Sequence, residues 1–261
     1  MLPTIGQKDI AKFSIRALKA IEEPHVCLLF LKKHHEILKH YGIDMVTSNN
    51  ISWPLNPNVY VLVAESLTTG EMMGGVRIHI ATPEFPLPIE DAVGCMDAKI
   101  AHLIKQYSEY GGIGETCGLW CSSYHKKKGS TGQKIGLGHR LTRAAVAVSN
   151  QFKLTTLMAI VGQPTLQSCR NIGFVESTAL GDNGTFPYPK KDMVAWTLGV
   201  MNAKTLEQAS PLDKRIILDL RQNPCQLKKE QTKISEIEIN YQLNLKLEDK
   251  NKYLNDKRFN Q

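Results

Sequence analysis

The sequence predicts an α/β fold in which strands and helices alternate about one glycine-bearing loop. Three observations carry that expectation. Residues 114–124 read as a strand, Gln133-Lys134-Ile135-Gly136-Leu137-Gly138 as a loop, and residues 141–152 as a helix with Leu141, Ala144, Ala145 and Val148 on one face. Residues 154–161 then read as a strand, 164–171 as a short helix, and Gly173-Phe174 as the opening of another strand. Upstream, residues 59–66 and 72–81 form two strands joined by Leu67-Thr68-Thr69-Gly70, a hairpin signal.

Taken in order, residues 13–21 alternate as a first strand. Pro24 suits the first turn of a helix that runs past His34, His35 and His40 and ends at Gly42. Those histidines are expected on its solvated side rather than as metal ligands. Residues 49–58, with Trp53-Pro54 and Pro57, form a loop. Gly74-Gly75 inside the third strand marks a bulge or a close backbone approach. Arg77 follows on a strand otherwise made of Val76, Ile78 and Ile80, and it either faces a carboxylate or lies on a half-exposed surface. Pro83, Pro86 and Pro88 open a long connection over 82–114, with a short helix at 89–96 and a fuller one at 98–107.

Beyond the core, 182–189 is a turn-rich loop, 192–201 a last strand, and 203–223 a helix stopped by Pro224. Residues 226–261 are rich in Lys, Glu and Asn, yet Ile237, Ile239, Tyr241, Leu243, Leu245 and Leu247 alternate without a slip. That pattern predicts a strand whose apolar face is covered by this domain or by a second subunit in a homodimer. Residues 249–261 are expected to fray.

A chain of 261 residues holds one large domain, or one domain and an extension. With 42% hydrophobic and 22% charged residues it has an ordinary globular composition. No apolar run approaches the ~20 residues of a membrane span. The first ten residues lack the order of a secretory signal. Six scattered cysteines do not suggest a disulfide scaffold, so a reducing cytoplasm is the expected location. The net charge of +7 suits an anionic partner. No helix-turn-helix, zinc-finger or RNA-recognition pattern is visible, which disfavours nucleic acid.

Strand, glycine loop and helix together make a phosphate-binding arrangement. Gly136 and Gly138 remove Cβ atoms that would hold backbone N–H groups away from an anion. The helix adds unpaired N–H groups and the positive end of its dipole. His139 and Arg140 in the first turn are expected to add charge there.

The hexapeptide 133–138 is similar to the (Gln/Arg)-x-x-Gly-x-(Gly/Ala) acyl-CoA signature of the GNAT N-acyltransferase superfamily. The order that follows it, ending in Gly173-Phe174, resembles that superfamily too. The resemblance implies a mixed, mostly antiparallel central sheet flanked by helices over 1–202, an insertion at 82–114 between the third and fourth strands, and a C-terminal extension over 203–261. The long insertion, with Arg77 before it, resembles the branch containing autoinducer synthases and long-chain N-acyl amino acid synthases, where this region helps form an acyl-chain tunnel. Members of that branch often carry an arginine three residues after the strand's glutamate; here that residue is Gly118.

By the same resemblance Glu115 is the general base, against the alternative of an exposed glutamate at a strand start. The backbone of residues 119–122, including Leu119 and Cys121, would hold the pantetheine arm. Residues 133–140 would hold the pyrophosphate. The tyrosine that often serves as general acid is replaced here by Cys169, with Tyr188 as a fallback. Cys117, Cys121 and His125 recur at four-residue spacing, which admits a zinc site, a cysteine nucleophile, or small side chains sharing one strand face. Lys126-Lys127-Lys128 is either a solvated turn or a dock for the CoA 3′-phosphate or an acyl carrier protein. The expected function is N-acyl transfer from acyl-CoA or acyl carrier protein to an amino acid-like primary amine, without a metal. The rival from another class is a non-catalytic acyl-CoA sensor.

Overall fold

The computed structural model describes residues 10–43, 46, 50–122, 135–232 and 235–245. Lys126–Lys128, His125, Gln133, Lys134, Leu247 and the 249–261 tail lie outside them. Among the described residues, ten strands form one sheet. Its first half is β1 (Ala11–Lys19), β2 (Val59–Ser66), β3 (Met72–Ile80) and β4 (Ile113–Cys121). Its second is β5 (Thr156–Gly162), β6 (Val175–Glu176), β7 (Thr185–Pro187), β8 (Val194–Met201), β9 (Cys225–Gln231) and β10 (Glu236–Gln242). The order is β6-β8-β5-β4-β3-β2-β1-β10-β9, with β7 also on β8. Only β4–β5 and β1–β10 are parallel, so the sheet is mixed and mostly antiparallel, as expected.

Helices cover both faces. On one, α1 (Pro24–His40) packs Val26, Cys27, Phe30 and Leu31 against Val59, Val61, Val63 and Trp120. On the same side, α2 (Pro88–Val93) and α3 (Lys99–Glu109) place Ile89, Val93, Ile100 and Ile104 over Ile113 and Met158. The opposite face carries α4 (Leu137–Ser149), α5 (Gln163–Ile172) and α6 (Pro211–Gln222). The sheet lies on one side of α4 and α5 and α6 on others, so α4 is buried almost all round rather than along the single stripe its sequence suggests. Its small Ala144, Ala145 and Ala147 allow that close packing.

Three expectations need correction. His34 is buried against Phe30, while His35 and His40 are not, so the three histidines do not share one solvated side. The late helix begins at Pro211, not residue 203, because Ser210 caps it by accepting the Asp213 N–H at 3.2 Å and Pro211 fills its first turn. Strand β9 was not foreseen: Leu227 is exposed and charged Glu230 is buried, the reverse of an apolar alternation. Strand β10 does form, and Ile237, Ile239 and Tyr241 join the core shared with α4, so this chain covers its apolar face. Among the described residues no helix is long and apolar enough to cross a membrane.

Candidate active site

The sheet opens in its middle. Strands β4 and β5 pair only over Ile113–Glu115 and Thr156–Met158. Beyond that they part, and residues 116–121 of β4 have no strand partner on the β5 side. An interior strand with unpaired backbone N–H and C=O groups is costly unless something extended completes the ladder. The gap is a cavity of about 770 Å³, lined by Thr116 to Cys121 on one wall and Ala159 to Gly162 on the other. Gly138 and Thr142 of α4 also line it. His34, Leu38 and Tyr41 close one flank; Tyr188, Met193 and Trp196 close the other. Lys190 Nζ donates to the Gly42 carbonyl, tying the second loop to the end of α1. A volume of this size is that of a ligand pocket.

Glu115 stands where the strands diverge. It is fully buried, and its Oε2 accepts the Ile89 N–H at 2.7 Å; Oε1 has no partner among the described residues. Burial pushes its carboxyl up to about 8, although the Ile89 hydrogen bond and the Arg77 charge act the other way. The alternative of an exposed glutamate at a strand start does not hold.

Arg77 shares the Glu115 face of the sheet. Its neighbour in register is Cys117, and that of His79 is Glu115. The guanidinium is 1% exposed, and none of its three nitrogens has a hydrogen-bond partner among the described residues. Its Cζ lies 4.4 Å from the Trp53 ring centroid and 5.9 Å from that of Phe30, a cation–π setting. Arg77 and His79 line a second pocket of about 310 Å³ with Trp53, Asn56, Phe85 and Asp91. Burial, then the Arg77 charge, hold His79 well below the ordinary histidine range, so it is neutral. The half-exposed surface expected as one alternative for Arg77 is excluded by its burial.

Gly118 explains how that arginine fits. The register passes from Gly75–Trp120 to Arg77–Cys117, leaving Gly118 and Leu119 opposite Val76 alone. This is a β-bulge with Gly118 at φ +60°. A Cβ there would lie 2.9 Å from Arg77 Nε and 3.0 Å from Nη2. The position that carries an arginine in the resembling branch therefore holds a glycine, because Arg77 from the next strand occupies its space. The bulge also places Cys117 beside Arg77 and Cys121 beside Gly138 and Gly74, on opposite faces. Four-residue spacing thus does not bring the two thiols onto one face, against expectation. Burial raises both to about 12, so neither is a thiolate at neutral pH.

The loop before α4 has Gly136 at φ +63° as its N-cap residue, with no side chain capping the helix. Leu119 and Cys121 line the cavity beside it, as does Gly138. Ile135 and Leu137 are instead buried in the core. Of the two residues expected to add charge at the loop, His139 is turned away, and Arg140 lies behind the loop against its carbonyls. His139 lies between Ser168 Oγ and Asp213 Oδ1, both at 2.7 Å. Arg140 donates to the Ile135 carbonyl at 2.7 Å and the Gln231 carbonyl at 3.0 Å, and its Nε is 3.0 Å from Glu230. Carboxylates from α6 and β9 draw these side chains inward.

Cys169 on α5 does line the cavity, and burial pushes its thiol up to about 12. It keeps its proton but is a weak acid toward a leaving thiolate of ordinary pKa about 8.5. Sequence reasoning missed His79 and Trp53. His79 was within reach, two residues beyond Arg77 on the same strand face; Trp53 comes from a loop with no periodic signal.

No protein-family model and no curated protein matches this sequence. Solved structures do. FeeM, an N-acyl amino acid synthase from uncultured soil microbes, is 12% identical over 76% of this chain and 96% of its own, with a TM-score of 0.55. A mosquito arylalkylamine N-acetyltransferase-like protein, 5b, is 13% identical over 72% and 99%, at 0.46. An acyl-CoA N-acyltransferase from Pseudomonas aeruginosa is 12% identical over 72% and 98%, at 0.45. At these identities the FeeM match speaks for the fold alone. The mixed, mostly antiparallel sheet flanked by helices on both faces is the GNAT fold that this chain shares with FeeM.

Proposed function

We propose that the protein is an N-acyltransferase that moves an acyl group from a CoA or acyl carrier protein thioester to the primary amine of an amino acid-like acceptor. The observation that carries this reading is the cavity between β4 and β5, open-edged along one wall, with the glycine loop at its side and a buried carboxyl at its vertex. The amide-bearing pantetheine arm suits the unpaired edge of β4, since it can complete a ladder as a strand does. The apolar walls, among them Ile37, Leu38, Val76, Val161 and Trp196, suit an acyl chain.

Chemistry follows from Glu115. The acceptor amine attacks the thioester carbonyl; the new C–N bond forms, the C–S bond breaks, and the nitrogen's proton passes to the Glu115 carboxylate. Backbone N–H groups of the parted β4 stabilise the oxyanion. A carboxyl titrating near 8 is matched to accepting a proton at neutral pH. Tyr188, on the facing loop, is the better placed acid for the departing thiolate, since the Cys169 proton is held too tightly. Arg77 is the group for the acceptor's carboxylate, because none of its buried guanidinium nitrogens has a hydrogen-bond partner among the described residues.

The test is free-thiol release, with acetyl-CoA, palmitoyl-CoA and an acyl carrier protein thioester supplied in turn beside a pool of amino acids and polyamines. Release with one donor, dependent on the pool, is the expected result and fixes the acyl length. Donor binding without release would overturn this reading in favour of a sensor. Gly136→Glu is expected to abolish donor binding; full affinity in that variant would remove the loop from the site.

A further inference from the structure

Two arginines in the opening turns of a helix are misplaced electrostatically, because the helix N-terminus is already positive. Arg140 and Arg143 occupy that region of α4, and both are buried. Among the described residues, the carboxylates paired with them come from the C-terminal part of the chain. Glu230 of β9 lies 3.0 Å from Arg140 Nε and pairs with Arg143 Nη2. Its other oxygen accepts the Tyr241 hydroxyl of β10 at 2.7 Å. Asp213 of α6 lies 3.5 Å from Arg143 and 2.7 Å from His139, and it accepts the Ser210 hydroxyl at 2.8 Å. Arg140, held on that side by Glu230 and the Gln231 carbonyl, reaches the loop with Nη1 and binds the Ile135 and Gly136 carbonyls at 2.7 and 3.2 Å.

We propose that β9 braces the loop at the head of α4 and that Glu230 is a positioning residue, acting through Arg140 on the carbonyls of Ile135 and Gly136. With those carbonyls drawn back toward β9, the loop keeps a fixed left-handed Gly136 and presents Gly138 to the cavity. The brace rests on that loop being the donor's pyrophosphate site. Residues 211–232 and 235–245 are then part of the donor site's construction, although none of these described residues lines the cavity. The role of Arg140 is reversed from a phosphate ligand to a tie behind the phosphate-binding backbone.

Two readouts on the full chain test this: amide hydrogen exchange over residues 135–141, and coenzyme A affinity by calorimetry. Glu230→Gln is expected to speed exchange in that segment about tenfold and to weaken coenzyme A about tenfold, the loss of one charge-assisted contact. Exchange in β2 should stay unchanged, which a merely structural loss would not allow. Glu238→Gln, which removes a partly exposed pair with Lys12 at 3.6 Å, is the control and should move neither. Unchanged exchange over 135–141 in folded Glu230→Gln overturns the brace. Should that variant fail to fold, Tyr241→Phe decides: it removes one bond to Glu230, and faster exchange confined to 135–141 supports the brace while unchanged exchange overturns it. If the wild type binds no coenzyme A, the donor reading falls by itself, and the exchange result still decides the brace.

Discussion

Two clusters of buried ionisable side chains lie among the described residues, and they are opposites. Around α4, Arg140 and Arg143 are ion-paired with Glu230, and Arg143 and His139 with Asp213, so every charge has an opposite partner across three elements even though Arg140 Nε and Arg143 Nε make no hydrogen bond among the described residues. Around β3 and β4, Arg77, His79 and Glu115 are as deeply buried, yet the Arg77 guanidinium, His79 Nε2 and Glu115 Oε1 have no hydrogen-bond partner among the described residues. Burying a charge without a partner is expensive, and evolution retains such groups where a ligand or a reaction uses them. On the proposed function, the ion-paired cluster is scaffold and the unpartnered one is site. The difference also predicts opposite signs when each is mutated.

The largest expected effect is on the satisfied cluster. Glu230→Ala leaves two buried guanidinium groups without their shared carboxylate and should destabilise the fold by about 3–5 kcal/mol, read by denaturant unfolding. A loss below ~1 kcal/mol would break the distinction.

Next comes the pH dependence written by Glu115. Its folded-state value, near 8, lies above the ordinary 4.5. The folded chain therefore holds a proton that the unfolded chain releases. The contribution to stability is complete below pH 4.5 and is lost as pH rises to about 8, a total of roughly 5 kcal/mol. Unfolding measured from pH 5 to 8 should show this decline in the wild type and not in Glu115→Gln.

Arg77→Met should then separate binding from stability. Without acceptor, removing an unpaired buried cation is expected to raise the unfolding free energy by about 1 kcal/mol. Affinity for a carboxylate-bearing acceptor should fall about 100-fold, the cost of an unmet charged contact. A variant less stable than the wild type would show that Arg77 has a partner in the folded chain. The smallest effect is expected for Gly118→Ala: its Cβ meets Arg77 in a left-handed backbone, at a cost of about 1–2 kcal/mol.

How much of this was legible in the sequence follows from which signals are local. The alternating strands and the Ile237–Tyr241 part of the last run are patterns of period two, and each became its element; of the glycine hexapeptide, Gln133 and Lys134 lie outside the described residues, and Leu137 and Gly138 open α4 instead of belonging to the loop. Glu115 and Arg77 could be singled out by position on a strand, but their sharing one face of the sheet depends on a register that brings together residues 38 positions apart in sequence order. The bulge likewise divided Cys117 from Cys121. Strand β9 and the fate of Arg140 were illegible for one reason: a buried glutamate on one segment and a buried arginine on another look like surface charges until the fold brings them together. Exposed Leu227 strengthened the wrong impression.

The most direct test of the central claim, that the unsatisfied cluster is the reactive one, is amine-dependent thiol release by Glu115→Gln, measured with coenzyme A affinity on the same sample. Turnover about 100-fold or more below wild type, with donor affinity within about twofold, is the expected result for loss of a general base. Unchanged turnover would remove Glu115 from the chemistry and the claim with it.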